Sequence, residues 1–445
     1  MKKKICLIGG GSYSWTDGLY ANFLRNPFFD KDTELCLYDL NEDALNDMYT
    51  FCQRGNEKYP DKALTLTKTT NEDEALDGAS YVLVAISHGG LKAELEDHVI
   101  ARKYGFYNVK GSESGIAGAS RTVRHVPEFV RIANKMKRLC APGAKLLNVT
   151  NPLTAITRSV NKYAGVEAMG FCHGIMNHLE ILLPYFGADS FDDVSFSVSG
   201  VDHCSFLIDL KFKGEDALEI MRKKGMIEAA WAGKSNITYD DPFAGRENER
   251  IRFILWDILG YMPGLSDEHC AEFYGQVIGS QENRDFFGMH YDRIAERTKS
   301  ATEARDKMKA RLAAGESAKP RYNEEIIDRV IEAFEGGNKV HEVMNTVNVG
   351  QVPELPLGTV VETWCDVDAV GVHPNMALPM PKIVEAIVRP QALREELFME
   401  AAMEHDEKKL AAALSIDPSV NDFRKVRAVA HEIFEYNDQF RPKKI

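Results

Sequence analysis

The chain has 445 residues, of which 44% are hydrophobic and 27% charged, the composition of a globular protein with two or three domains, or of one large body with a second lobe. A net charge of −13 with no basic stripe to offset it argues against nucleic acid or an anionic membrane as partner. No apolar run reaches the length of a membrane span, the apolar run in MKKKICLIGGGS is too short for a secretory leader, and the eight cysteines are scattered as reduced thiols are, so a cytoplasmic protein is expected.

Residues 5–8 form a short apolar run ending in glycines, as a buried parallel strand does. The next stretch puts Leu19, Tyr20, Phe23 and Leu24 on one helical face and stops at Asn26-Pro27. Residues 34–38 read as a second strand closed by Asp39, after which Leu45, Met48, Tyr49 and Cys52 recur at helical spacing. YVLVAI (81–86) is the clearest buried strand, Pro127 is placed to open a helix facing inward with Val130, Ala133 and Met136, and residues 145–149 run as a strand into Thr150-Asn151-Pro152. This alternation predicts an α/β fold, a Rossmann-like doubly wound parallel sheet over residues 1–192, with ligands at the carboxyl ends of its strands.

The pattern changes near Asp193. Val194, Phe196 and Val198 alternate with serines, and Phe206, Ile208, Leu210 and Phe212 alternate again, which predicts antiparallel strands around a tight connection holding Asp202 and His203. Helical stretches follow at 252–259, 293–311 and 326–334, then a loop-and-strand region around 345–375 and two helices over 382–414. Residues 193–445 are therefore expected to form a mostly helical α+β domain for substrate and oligomerisation. The polar stretch 293–325 is expected to be solvated, with no binding role.

Gly9, Gly10, Gly11 and Ser12 let the backbone approach a pyrophosphate, and the helix that follows turns its amino-terminal N–H groups toward the anion. The spacing departs from G-x-G-x-x-G, because Ser14 occupies the last glycine position. Asp39 can accept from the adenosine ribose hydroxyls, which favours NAD over its 2′-phosphate. Ser87 and His88 after the YVLVAI strand, and Asn151 after the next strand, are expected in the same crevice. Cys172 follows a strand-like run, and His203 can reach it from the inter-strand connection; His173, His178 and Cys204 compete for the same role. One Cys and one His cannot close a structural tetrahedral site, so a metal held there keeps positions open for catalysis. Arg121 and Arg124 share one helical face beside Gly115 and Gly118, and Tyr261, Asp267, Glu268, His269 and Glu272 form a dense titratable cluster.

Taken in order, IGGGSYSW (8–15), LYDL (37–40), the G-x-x-G-x-x-R-x-x-R-x-x-P run (115–127), NVTNP (148–152), CH (172–173), DH (202–203), SDEHCAEF (266–273), Asn345 and Asn348 before Gly350-Gln351, and LPLGTVVET (355–363) resemble glycoside hydrolase family 4 along nearly the whole chain. Cys-His and the D-x-H-x-A-E-F string resemble its α-galactosidase, α-glucuronidase and α-galacturonidase branch. The resemblance implies a lactate/malate dehydrogenase-like fold, NAD with a divalent metal (Mn2+ typically), and a homodimer or homotetramer. It also implies oxidation of a small glycoside at C3, loss of the C2 proton, departure of the aglycone, water addition and re-reduction. Cys172 and His203 become the metal ligands. Trp15 joins the cofactor residues, and Asn151, His173, Asp202 and Arg121 become substrate residues. Asp267 is the first choice of base, with Tyr261 the alternative. Three departures stand out. Asp202 replaces the family's usual Asn, and can orient His203 or bind the metal directly. Ser112 stands where the family tends to have an acid, so the acid role has either shifted to Glu113, one residue on, or been lost. Gly174-Ile175-Met176-Asn177 differs from the branch's common sequence. The alternatives are an NAD-dependent 2-hydroxyacid dehydrogenase of the lactate/malate type and an NAD-binding pseudoenzyme with a regulatory role.

Overall fold

A computed structural model describes residues 3–188, 190–234, 249–289 and 293–443. The apolar runs of the first half become strands β1 (Lys3–Ile8), β2 (Thr33–Tyr38), β3 (Thr65–Thr69), β4 (Tyr81–Val84), β5 (Lys145–Asn148) and β6 (Ala168–Gly170). They pair in parallel in the order β3-β2-β1-β4-β5-β6; Ile5 of β1 sits opposite both Leu35 and Tyr81. Winding reverses between β1 and β4, which opens a crevice at their carboxyl ends. Leu19, Tyr20, Phe23 and Leu24 of the helix Thr16–Arg25 pack with Leu7 and Leu37 on one face of the sheet, as their spacing predicts.

The other face is covered by the helix Gly115–Leu139. This helix starts well before Pro127, which lies inside it instead of opening it. The missing N–H of Pro127 forfeits one helical hydrogen bond. Burial of Ile116, Ala119, Val123, Val126, Phe129 and Val130 in the core offsets that loss.

Beyond residue 193 the chain first makes a small antiparallel sheet from β7 (Val194–Val201), β8 (Cys204–Phe212), β9 (Glu215–Asp216) and β10 (Met262–Pro263), with β8 between β7 and β10 and β9 also on β8. It then returns to the large sheet. The region read as loop and strand holds β11 (Val340–Val347), β12 (Val360–Asp368) and β13 (Gly371–Pro374), which extend the parallel sheet to nine strands. The junction is antiparallel, through Asn345 opposite Gly170. No helix among the described residues is long and apolar enough to cross a membrane, and the eight cysteines are free thiols.

Candidate active site

Two adjoining cavities lie at the carboxyl ends of the parallel strands. The larger, about 650 Å3, is walled by Ser12, Trp15, Ser87, Arg121, Thr150 and Asn151, among others. The smaller, about 330 Å3, is walled by Lys110, Ser112, Cys172, His178, His203 and His269, and shares Trp15, Glu94, Arg121, Asn151, His173, Asn177 and Arg297 with the first. Both volumes suit small-molecule sites.

The glycine turn packs against Ala85, which lines the larger cavity. Gly9 takes φ +99°, and a Cβ there would lie 2.3 Å from the Ala85 carbonyl oxygen. The N–H groups of Gly9 and Gly10 both donate to the Tyr38 carbonyl at 2.9 Å. Gly11 donates to Oδ2 of Asp39 at 3.0 Å, and Asn41 donates to Oδ1 at 2.9 Å. Each Asp39 oxygen keeps a further lone pair for a ligand hydroxyl. Ser12, Trp15, Ser87 and Asn151 reach the wall, as expected. His88 does not: its backbone N–H donates to Nε2 of His125 at 2.8 Å, and its own Nε2 is 3.0 Å from the Phe440 carbonyl. The C-terminal segment holds that ring, and His88 does not line the cavity.

The smaller cavity holds the metal candidates. Cys172 lies two residues past β6. Asp202 and His203 are the two residues between Val201 and Cys204, which pair as the last ladder position of β7 and β8. His203 takes φ +64°, a left-handed conformation that costs a non-glycine residue about 1–2 kcal/mol. Ligand atoms of Cys172, Asp202 and His203 lie within 4.8 Å of one another, and no other such group of three occurs among the described residues. Burial, with Lys110 nearby, pushes the His203 imidazole down to about 3, so it is neutral and able to ligate. Its Nδ1 and the Oδ2 of Asp202 are buried and meet no N–H or O–H hydrogen-bond partner. Burial, then Asp202, pushes the Cys172 thiol well up. A bound cation reverses that effect and holds the thiolate. Donor chemistry and orphaned atoms therefore fit a divalent cation.

Three residues expected as acid or base do not line the two cavities. Asp267 is fully buried, and its oxygens accept from the backbone N–H groups of Ile251 and Arg252 at 3.0 and 2.9 Å, so it caps the start of the helix Arg250–Leu259. Burial and Glu249 raise its carboxyl to about 7. It does not wall either cavity. Tyr261 walls a separate cavity of about 530 Å3 with Leu207, Asp209 and Pro381. Glu113 lies behind Ser112, accepts from the Leu153 N–H at 2.7 Å, and is driven well up by burial and Glu395. Glu272, from the same titratable cluster, accepts from the Gly111 N–H.

Other wall residues were missed. Arg297 belongs to the helix Arg293–Ala313, expected to be solvated, yet it binds Glu94 at 2.9 and 3.2 Å in the cavity wall. Glu325 holds Nδ1 of His173 at 2.6 Å, and Asn177 donates to Glu324 at 2.6 Å. Nothing in the alternating charges of residues 293–325 marks these three. His269 was readable inside SDEHCAEF, but only as one member of a titratable cluster. Its ring lies 4.1 Å from that of His203.

A dinucleotide-type crevice fused to a thiolate/imidazole/carboxylate pocket defines a redox enzyme class with metal assistance. Residues 4–184 match the Family 4 glycosyl hydrolase family and residues 198–420 match its C-terminal domain; the chain belongs to that family. It is 24% identical to an α-galactosidase of Bacillus subtilis (strain 168), over 99% of both chains. It is 25% identical to an α-galacturonidase of Lachnoclostridium phytofermentans, over 99% of this chain and 97% of the other. Its fold is shared with a 6-phospho-α-glucosidase from gut microorganisms, solved in complex with NAD and Mn2+, at a TM-score of 0.82 and 19% identity over the whole of both chains.

Proposed function

We propose that this chain is a cytoplasmic NAD+- and metal-dependent glycosidase acting on small α-linked glycosides, with galacturonides and glucuronides preferred to neutral galactosides. The observation that carries this reading is the common wall of the two cavities: Trp15, Asn151 and His173 border both the dinucleotide crevice and the Cys172/His203 pocket. A sugar lodged in the smaller cavity thereby lies beside the cofactor groove and within reach of the cation. Residues 9–12, the amino terminus of the helix Thr16–Arg25 and Asp39 fit NAD+; Cys172 and His203 fit the cation. Bound there, NAD+ supplies a hydride acceptor for C3 of the sugar, and the cation polarises the oxygens on C2 and C3.

The chain's own residues do the rest. Asn151 and His173 position the sugar ring, with His173 held by Glu325. His269 faces the cation pocket and takes the proton from C2, an imidazole being suited to proton transfer near neutral pH. Arg121 is 8% exposed; its Nη2 is ion-paired with Glu94 at 3.4 Å without a well-formed hydrogen bond, and its Nε has no hydrogen-bond partner. A buried guanidinium with open donors suits a carboxylate on the substrate, which supports the uronides.

A panel of aryl glycosides, incubated with NAD+, Mn2+ and a reducing agent, tests the reading. Release of the aryl group should need NAD+, stop on chelation, and leave no net NADH. NADH rising in step with substrate loss would point to the 2-hydroxyacid dehydrogenase alternative. Light scattering should find a homodimer or homotetramer.

A further inference from the structure

We infer that Asp202 is a third protein ligand of the cation, so that the chain offers one thiolate, one imidazole and one carboxylate; this deepens the metal-dependent reading above and rests on it. Donor atoms around one ion at about 2.0–2.3 Å are separated by roughly 3–4.6 Å. The three side chains come close to that spacing without an ion present, their ligand atoms lying within 4.8 Å of one another and Oδ2 of Asp202 standing 3.3 Å from Nε2 of His203.

The surroundings of Asp202 leave one oxygen for the ion. Its side chain is fully buried. Oδ1 accepts from Nδ2 of Asn345 at 3.4 Å, and the same amide group reaches Oε1 of Glu362 at 3.4 Å. Glu362 is held in turn by the Ser205 hydroxyl at 2.7 Å. These contacts follow from sheet register: Asn345 of β11 faces Gly170 of β6 on one side and Glu362 of β12 on the other. Asp202 is thus gripped from behind at Oδ1. The Cys172 thiol hydrogen-bonds the Asp202 carboxyl, while Oδ2 meets no N–H or O–H donor in bonding geometry and stands 3.3 Å from Nε2 of His203. Leaving a buried carboxylate oxygen unpaired is costly, and a divalent cation between Cys172 and His203 relieves it.

The added ligand changes what the pocket can do. Thiolate and carboxylate together cancel the charge of a divalent ion, and three protein donors leave fewer positions for sugar oxygens than two do. The carboxylate also adds a hard donor beside a soft one, which moves the preference toward Mn2+.

The test titrates reduced, metal-stripped full-length protein with Co2+ in the absence of sugar, by calorimetry and by absorption. Asp202→Asn should bind Co2+ at least about tenfold more weakly, retain the thiolate-to-cobalt charge-transfer band, and alter the d–d bands because one donor is lost. NAD+ binding by the variant, followed by fluorescence, should match the wild type. If the d–d bands of Asp202→Asn are unchanged, whatever its Co2+ affinity, while Cys172→Ser loses the charge-transfer band, Asp202 at most orients His203: the inference fails and the metal-dependent reading stands. Absence of the charge-transfer band in the wild type overturns both. Wild-type crystals soaked in Zn2+ give a measurement that needs no variant. The anomalous peak should lie about 2.0–2.2 Å from an Asp202 oxygen, and an ion bound to Cys172 and His203 but well outside that distance overturns the inference.

Discussion

The rings of His203 and His269 lie 4.1 Å apart between centroids, tilted by 57°. The contact ties the β7–β8 connection to the helix Asp267–Phe273 and places a second imidazole beside the metal pocket.

That contact makes His269 the group to test for proton transfer at C2. His269→Ala should lower kcat by about 10²–10⁴-fold, the usual contribution of a general base, while Co2+ and NAD+ affinities stay near wild type. Turnover in D2O should label C2 of the sugar released by the wild type. Equal label from His269→Ala would move the base to another group.

Asp267 is expected to act on stability instead. Replacing it with Asn turns one acceptor into a donor against two backbone N–H groups, a loss of about 1–3 kcal/mol for a buried unsatisfied group. The melting temperature should fall, with kcat per folded molecule changed little. A variant that melts like the wild type but has lost activity would return Asp267 to the chemistry.

Arg121 should set substrate charge. Arg121→Met removes a charge-assisted contact of about 1.5–3 kcal/mol, so kcat/KM on an aryl uronide should drop by about 10–100-fold. The same variant should cleave a neutral aryl galactoside nearly as well as the wild type. Parallel losses on both substrates would mean that Arg121 supports the fold or the cofactor instead of reading the carboxylate.

The buried acids predict a pH dependence for the metal-free protein. Burial raises the carboxyls of Asp267 and Glu272 to about 7 each, against about 4 in an unfolded chain. Between those values the folded protein binds more protons than the unfolded one, so stability falls as pH rises through the window. Melting temperature in the presence of chelator should be several degrees higher at pH 5 than at pH 8. The double change Asp267→Asn and Glu272→Gln should flatten that slope; an unchanged slope would assign it to other groups.

Much of the architecture was legible in the residues themselves. Short apolar runs with helices between them determine a parallel sheet, because a strand buried on both faces admits few polar side chains. Gly9 to Gly11, Cys172 and His203 were legible because their chemistry and order are local. The family resemblance read from those motifs matched the chain. Tertiary structure alone decided the rest. That β11 joins β6 through Asn345 and Gly170 depends on pairing between segments far apart in sequence, which no local period encodes. Arg297 sits among alternating charges that look the same on a solvated helix and on one pressed against a cavity. Asp267 and His269 lie one helical turn's fraction apart in a single string, yet one faces backbone amides and the other the pocket. The polar partners a side chain finds are set by packing, because a buried donor or acceptor takes whichever complement the fold brings within about 3 Å.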